Sequence, residues 1–372
     1  MPKDMLSWDQ TIFKNGEMFE LDHVPEHFLH RSGQIEALTF NMRPAVRAMH
    51  PINTLCLGPP GTGKTTAVHK VFEEIEKHTS SVIPVHVNCQ VDNTRYVIFS
   101  QIFQKIYGYM PPTSGVSFKK LFGEIAKYLI EKKRVLVVAL DDVNYLFHEN
   151  EVNGVLYPLL RAHEVYPGAK IGVIGVLSET GMHYVLDQRV NSVFLPQEIR
   201  FPPYARAEIH DILRNRIKYG FFPDVVPADV LDKIVDCVET SRDLRVGIDL
   251  LKRAGFNAER RASKQISIED VDGAYEGSKL VHLAHLIRLL RNDEQTLLKL
   301  IAESGEIKAG ELYKKFQEGT GLGYTRYHDM LNKLESIKLI DTNYINDGRR
   351  GRSRTISSRY TADEILNGLE SI

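Results

Sequence analysis

The chain has 372 residues, of which 43% are hydrophobic and 26% charged, with a formal charge of −1. That length suggests two or three domains around a large buried core. The near-neutral total excludes a uniformly basic nucleic-acid binder, so any polyanion signal has to be local. The opening "MPKDMLSWDQ" has no apolar core and does not read as a signal peptide. No apolar run reaches the length of a membrane span, and no solenoid period is present. The three cysteines, Cys56, Cys89 and Cys237, are widely spaced and lie mostly in apolar runs. They read as reduced, buried thiols of a cytoplasmic protein, without a CxxC metal pattern.

In chain order, "INTLCL" at 52–57, "VIPVHV" at 82–87, "VLVVAL" at 135–140 and "IGVIGVL" at 171–177 are β-branched and nearly continuous, as buried parallel strands are. Helix-period segments such as "TTAVHKVFEEIEKH" at 65–78 lie between them. The alternation predicts an α/β domain with a parallel sheet. After "FPPY" at 201–204 the strands stop, and helical segments run to about 280. A third region follows, with helix-like pieces at about 281–304, 307–317 and 323–337. Then "LIDTNYINDGRRGRSRTISSRYT" alternates around a glycine-bearing turn. Three helices and a hairpin are the order of a winged helix-turn-helix. The expected divisions are 1–203, 204–280 and 281–372.

Between the first strand and the first long helix stands "GPPGTGKT" at 58–65, a full G-x-x-x-x-G-K-[ST] match. Gly58, Gly61 and Gly63, with Pro59, Pro60 and Thr62 between them, let the backbone curl so that its N–H groups face a phosphate. The helix that follows, through Thr65 and Thr66, adds its positive end. Lys64 is expected at the β- and γ-phosphates and Thr65 on Mg²⁺. An acid at the tip of a neighbouring strand completes such a site, and "VLVVALDD" supplies Asp141, expected to support Mg²⁺ through water, and Asp142. Asp142 stands where many ATPases place a glutamate that polarises the attacking water. Its shorter side chain falls about 1–1.5 Å short of that reach. It reads equally as a cap of the next turn. Ser178, at the end of the fourth strand, reads as a γ-phosphate sensor or as a loop cap. Arg245 lies in the first turn of an amphipathic helix, where it opposes the helix dipole, so it has another partner: a phosphate or a surface ion pair.

In the third region, the helix at about 323–337 has a core stripe of Tyr327, Met330, Leu331, Leu334 and Ile337. Tyr324, Thr325 and Arg326 lie at its start, with Arg326 and Lys333 on the other face. Arg349, Arg350, Arg352 and Arg354 crowd the hairpin tip, where Gly348 and Gly351 permit close backbone approach. From Val281 onward there are 14 basic and 13 acidic residues, so the charge is concentrated on the wing. Arginine suits both phosphate and a narrow minor groove, and a solvated charged hairpin is the alternative.

A P-loop sheet, a helical lid and a winged helix, in that order, resemble the archaeal origin-recognition initiators, AAA+ ATPases of the Orc/Cdc type. The resemblance covers nearly the whole chain. "DHVPEHFLHRSGQIEAL" at 22–38 is similar to the family's opening motif, which implies Val24 and Pro25 near the adenine. "VNCQ" at 87–90 resembles its second-strand signature. "EIRFPPYARAEIHDILRNR" at 198–216 resembles the start of its lid, implying Tyr204 and Arg216 at the nucleotide. "RDLRVGIDLL" resembles the second sensor and implies Arg245 as its arginine. "DQRVNS" at 187–192 resembles the segment that offers an arginine, here Arg189, to a neighbouring subunit's nucleotide. Three departures stand out: Asp-Asp where Asp-Glu is usual, Ser178 for the first-sensor asparagine, and Arg242 where glycine is usual. They predict slow hydrolysis with binding of ATP or ADP intact. The resemblance implies a nucleoid-associated initiator that recognises double-stranded origin DNA, helps recruit or load the replicative helicase, and pairs with a second initiator subunit. A P-loop transcription regulator and a clamp-loader-like ATPase are the other readings of the same motifs.

Overall fold

The computed structural model describes residues 11–112, 115–148, 151–178, 186–288, 290–337, 339–346 and 352–370. The chain divides into two units, Met1–Val271 and Asp272–Ile372.

In the first unit, β1 (Thr54–Leu57), β2 (Val82–Asn88), β3 (Val135–Asp141), β4 (Lys170–Leu177) and β5 (Gln197–Arg200) form a five-stranded sheet in the order β2-β3-β4-β1-β5. All of its pairings are parallel. β3 is buried along its whole length because helices cover both faces, which is why it reads as an unbroken apolar run. One face, with Val135, Val137 and Ala139, packs on Ala67, Val68 and Val71 of the helix Lys64–His78. The other, with Leu136, Val138 and Leu140, packs on the helices Arg95–Tyr107 and Phe118–Glu131. β5 was not anticipated: of its four residues only Ile199 is buried, so it reads in sequence as a charged link.

The lid consists of the helices Arg206–Gly220, Ala228–Ser241 and Leu244–Arg260. Gly247 lets two of them close on the third, since a Cβ there would meet Val238 at 2.5 Å and Leu213 at 3.2 Å. The opening segment packs on this lid. Phe13 and Phe19 pack their rings at a tilt on Phe221, and Lys14 N–H donates to the Gly220 carbonyl at 2.8 Å.

The second unit holds the helices Asn292–Ser304, Ala309–Thr320, Tyr324–Ser336 and Ala362–Glu370, and an antiparallel sheet ordered β6-β8-β7. Its strands are β6 (Ile307–Lys308), β7 (Ile340–Asn346) and β8 (Arg352–Ser358). Tyr327, Met330, Leu331 and Leu334 enter its core with Leu297, Ile301 and Phe316, and Ile337 is packed against it. The span read as one helix over 281–304 is two: one helix is Ile268–Arg288, and the next begins at Asn292, with Arg291 extended before it.

Candidate nucleotide site and winged-helix face

The loop after β1 curls as its glycines allow. Gly61 and Gly63 have φ of 70° and 89°, left-handed values that a side chain resists. A Cβ would also have no room: at Gly61 it would meet Asp243 Oδ1 at 2.0 Å, and at Gly63 both Phe28 and the Tyr204 hydroxyl at 2.8 Å. The loop is thus cradled between the opening segment and the first turn of a lid helix. Thr62 Oγ1 donates to the Pro59 carbonyl at 2.8 Å, closing the turn over Pro60.

Lys64 is folded back on this loop, its Nζ donating to the carbonyls of Gly58 at 2.7 Å and Pro59 at 2.8 Å. Only 5% of it is exposed. Burial brings the amine down to about 8, although Asp142 and Asp141 nearby favour its charge. Asp141, at the end of β3, is also buried. Burial raises its carboxyl, but the hydrogen bonds from His86 and Thr65 and from the Asp142 N–H outweigh it, and the group lies below the usual range. His86 Nε2 is 3.0 Å from Asp141 Oδ2, and the Asp142 N–H is 3.0 Å from Oδ1. Thr65, expected together with Asp141, is thus near enough to favour its ionised form. Thr66 follows on the same helix, half-buried.

Asp142 adopts φ 51°, a left-handed conformation costing roughly 1–2 kcal/mol for a residue with a Cβ. Ser178 Oγ donates to its Oδ1 at 2.5 Å. The two residues singled out on separate strands thus form one pair at the tips of β3 and β4. The next two residues, Glu179 and Thr180, lie outside the described residues.

Asp243 caps the helix Leu244–Arg260 by accepting the Arg245 N–H at 3.0 Å. The same carboxylate takes the Arg245 guanidinium through Nε at 3.0 Å and Nη2 at 2.6 Å. One of the two partners open to Arg245, an ion pair, is thus supplied by Asp243. Asp243 foremost, and Asp142 among the nearby charges, hold the guanidinium firmly protonated.

Tyr204 lies beside Gly63 with its ring under the Arg31 guanidinium, 3.7 Å from the centroid. Arg31 was not singled out in the sequence, yet it is 2% exposed and links three segments. It donates to the carbonyls of Thr62 at 3.0 Å, His30 at 3.0 Å and Pro202 at 2.6 Å. Arg216 also faces carbonyls, donating to Met18 at 2.7 Å and His23 at 3.3 Å, so it anchors the opening segment just before Val24 and Pro25. Those two are half-buried, and Lys70 Nζ holds the next carbonyl, of Glu26, at 3.2 Å. Arg189 stands apart on the short helix Gln188–Asn191, its side chain 76% exposed and 3.7 Å from Asp187.

In the second unit, Tyr324 and Thr325 are exposed at the start of their helix, and the Tyr324 ring meets Tyr313 edge-on at 5.1 Å. Arg326 is paired with Asp293 at 2.6 Å and Lys333 with Glu294 at 2.7 Å. Arg354 departs from its reading as a cation of the wing tip. Its side chain is 11% exposed and donates to Glu335 at 2.5 Å and Thr342 at 3.3 Å, because its position on β8 turns it inward. Arg352 begins β8, while Arg349 and Arg350 lie outside the described residues.

Family models match three stretches: an AAA domain at 48–178, a Cdc6 AAA+ ATPase-type lid domain at 210–276, and a CDC6 C-terminal winged helix domain at 295–368. The chain is 53% identical to ORC1-type DNA replication protein 2 of Methanosarcina acetivorans, over 99% of this chain and 98% of that one. It is 51% identical to ORC1-type DNA replication protein 3 of Haloarcula marismortui, over 99% of both. Among solved structures it resembles the Aeropyrum pernix ORC1 protein in complex with DNA, with a TM-score of 0.79 and 26% identity over 98% of each chain. The chain therefore belongs to the ORC1-type DNA replication proteins, AAA+ ATPases with a Cdc6-type lid and winged helix.

Proposed function

We propose that this chain is a nucleotide-dependent replication initiator. It binds ATP or ADP against the P-loop and double-stranded origin DNA through its winged helix, and helps recruit or load the replicative helicase. The relatives' common name and the Aeropyrum pernix complex with DNA support the assignment. The observation that carries the nucleotide half is the state of two cations. Lys64 spends its donors on loop carbonyls and Arg245 on its own helix cap, and Asp142 bears electrostatically on both. A polyphosphate offers Lys64 anionic oxygens in place of neutral carbonyls, and offers Arg245 several anionic oxygens in place of one carboxylate, in a geometry the guanidinium fork matches. Taking Arg245 from Asp243 towards phosphate couples the lid helix to the nucleotide, which makes the site a switch between base and lid. Thr65 and Asp141, a hydroxyl beside a carboxylate kept ionised, fit Mg²⁺ and would hold it. The ion supplies charge neutralisation for the phosphates.

Asp142, held by Ser178, would orient water, and the exposed Arg189, weakly paired with Asp187, would reach a second initiator subunit. On the DNA side, Tyr324 and Thr325 would enter the major groove, with Arg326 beside them. Arg349, Arg350 and Arg352 would lie along the minor groove or backbone. Nucleotide titration of stripped protein tests the first half: the parent binds and Lys64→Ala does not. A genome-wide occupancy map tests the second. Sites concentrated at replication origins are expected, and sites dispersed over promoters would overturn the initiator reading.

A further inference from the structure

β2 and β3 pair in parallel, with His86 opposite Ala139 and Asn88 opposite Asp141. Side chains two residues apart on a strand share a face, so His86 and Asp141 both point to the face covered by the helix Lys64–His78. Ala139, a methyl group only, leaves the imidazole room to lean forward. It does so far enough for Nε2 to reach Asp141 Oδ2 at 3.0 Å. From the helix side, His69 packs on the His86 ring with centroids 4.4 Å apart, closing it in. Burial first, and His86 second, keep His69 below the usual histidine range.

An ionised carboxylate only accepts hydrogen bonds, so Nε2 of His86 carries the proton that lies between them. Aspartate's terminal torsion is broad and roughly two-fold, so an unheld carboxylate swings freely. Here the Asp142 N–H holds Oδ1 and His86 holds Oδ2, and two bonds on two oxygens fix the plane.

We propose that His86 is a positioning residue for the divalent cation: it locks the Asp141 carboxylate in the orientation that accepts the ion's coordination shell beside Thr65. This rests on the reading of Thr65 and Asp141 as the Mg²⁺ site. Partners of this kind orient the groups that meet a metal, and their loss typically costs about 10–100-fold in metal affinity.

His86→Phe keeps a ring against His69 and removes the donor, while His86→Gln keeps an N–H donor at nearly the same reach. Two quantities are measured on the full chain with a fluorescent ATP analogue. One is nucleotide affinity in EDTA, and the other is the Mg²⁺ concentration at which affinity rises to its metal-bound level. Mn²⁺ binding to the nucleotide complex, followed by electron paramagnetic resonance, reports the cation directly. The expected result is unchanged affinity in EDTA for both variants. The Mg²⁺ midpoint should rise at least about tenfold for His86→Phe, with most of that restored in His86→Gln. A midpoint that does not move, or an equal loss of affinity with and without metal, would overturn the proposal. The latter would show that His86 only supports the fold. If the parent protein itself bound nucleotide with no response to Mg²⁺, the Thr65–Asp141 reading would fall first, before any variant is compared.

Discussion

Raising the pH should weaken nucleotide binding through one residue, Lys64. Burial holds its amine at about 8 against an ordinary 10.5. A phosphate in contact favours the ammonium and restores the ordinary value. Below pH 8 the lysine is protonated in both free and bound protein, and affinity is flat. Above it the free protein has lost a proton that the complex needs, so binding takes one up and weakens as pH rises, by up to tenfold per unit. Between pH 7 and pH 9 the loss comes to roughly tenfold, or about 1.4 kcal/mol. Nearby groups do not share the window. Arg245 stays charged because Asp243 holds it protonated, and the last ionisation of a phosphate monoester, at about 6, lies below the window. Titration calorimetry at both pH values, in buffers of different ionisation enthalpy, measures affinity and proton uptake together. Nearly one proton should be taken up at pH 9 and almost none at pH 7. Lys64→Met should bind weakly and without the pH dependence. Equal affinity at the two pH values, or the same decline in Lys64→Met, would refute the argument that a buried, discharged lysine is the cause.

Asp142→Glu should raise single-turnover hydrolysis with little change in affinity, because the longer side chain reaches past the Ser178 contact; an unchanged or lower rate removes side-chain reach as the limit. On the winged helix, Arg350→Ala with Arg352→Ala should lower the slope of log affinity against log salt by roughly 1.8, at about 0.9 per phosphate contact, and leave thermal stability intact. Arg354→Ala should do the reverse, lowering stability and sparing the salt slope, because its guanidinium is spent on Glu335 and Thr342. Binding to duplex DNA across several salt concentrations, beside a thermal melt, distinguishes the two patterns.

What was legible in the sequence follows from how much of each signal is local. The first four strands showed as apolar runs because burial on both faces leaves no polar alternation, and the P-loop showed because its glycines are demanded by its own backbone. β5 was hidden because an edge strand with only Ile199 buried carries neither signal. Residues whose meaning lies in a distant partner were the hard ones. Arg31 stands inside a stretch quoted for other reasons, and its role is set by the carbonyls of Thr62 and Pro202, which only the fold brings to it. Arg245 could be narrowed to phosphate or ion pair, but the ion partner shows only where Asp243 is seen to be the helix cap as well as a neighbour in sequence. Arg354 shows the limit most directly. Side chains alternate faces along a strand, so an arginine in a hairpin is inward or outward by the parity of its register. That parity is set by the pairing of β8 with β6 and β7, where Thr355 stands opposite both Lys308 and Asn343. A cluster of arginines around a turn announces that a cationic tip exists. It does not say which of them the sheet keeps for itself, and here the sheet keeps Arg354, pairing it with Glu335 from the preceding helix.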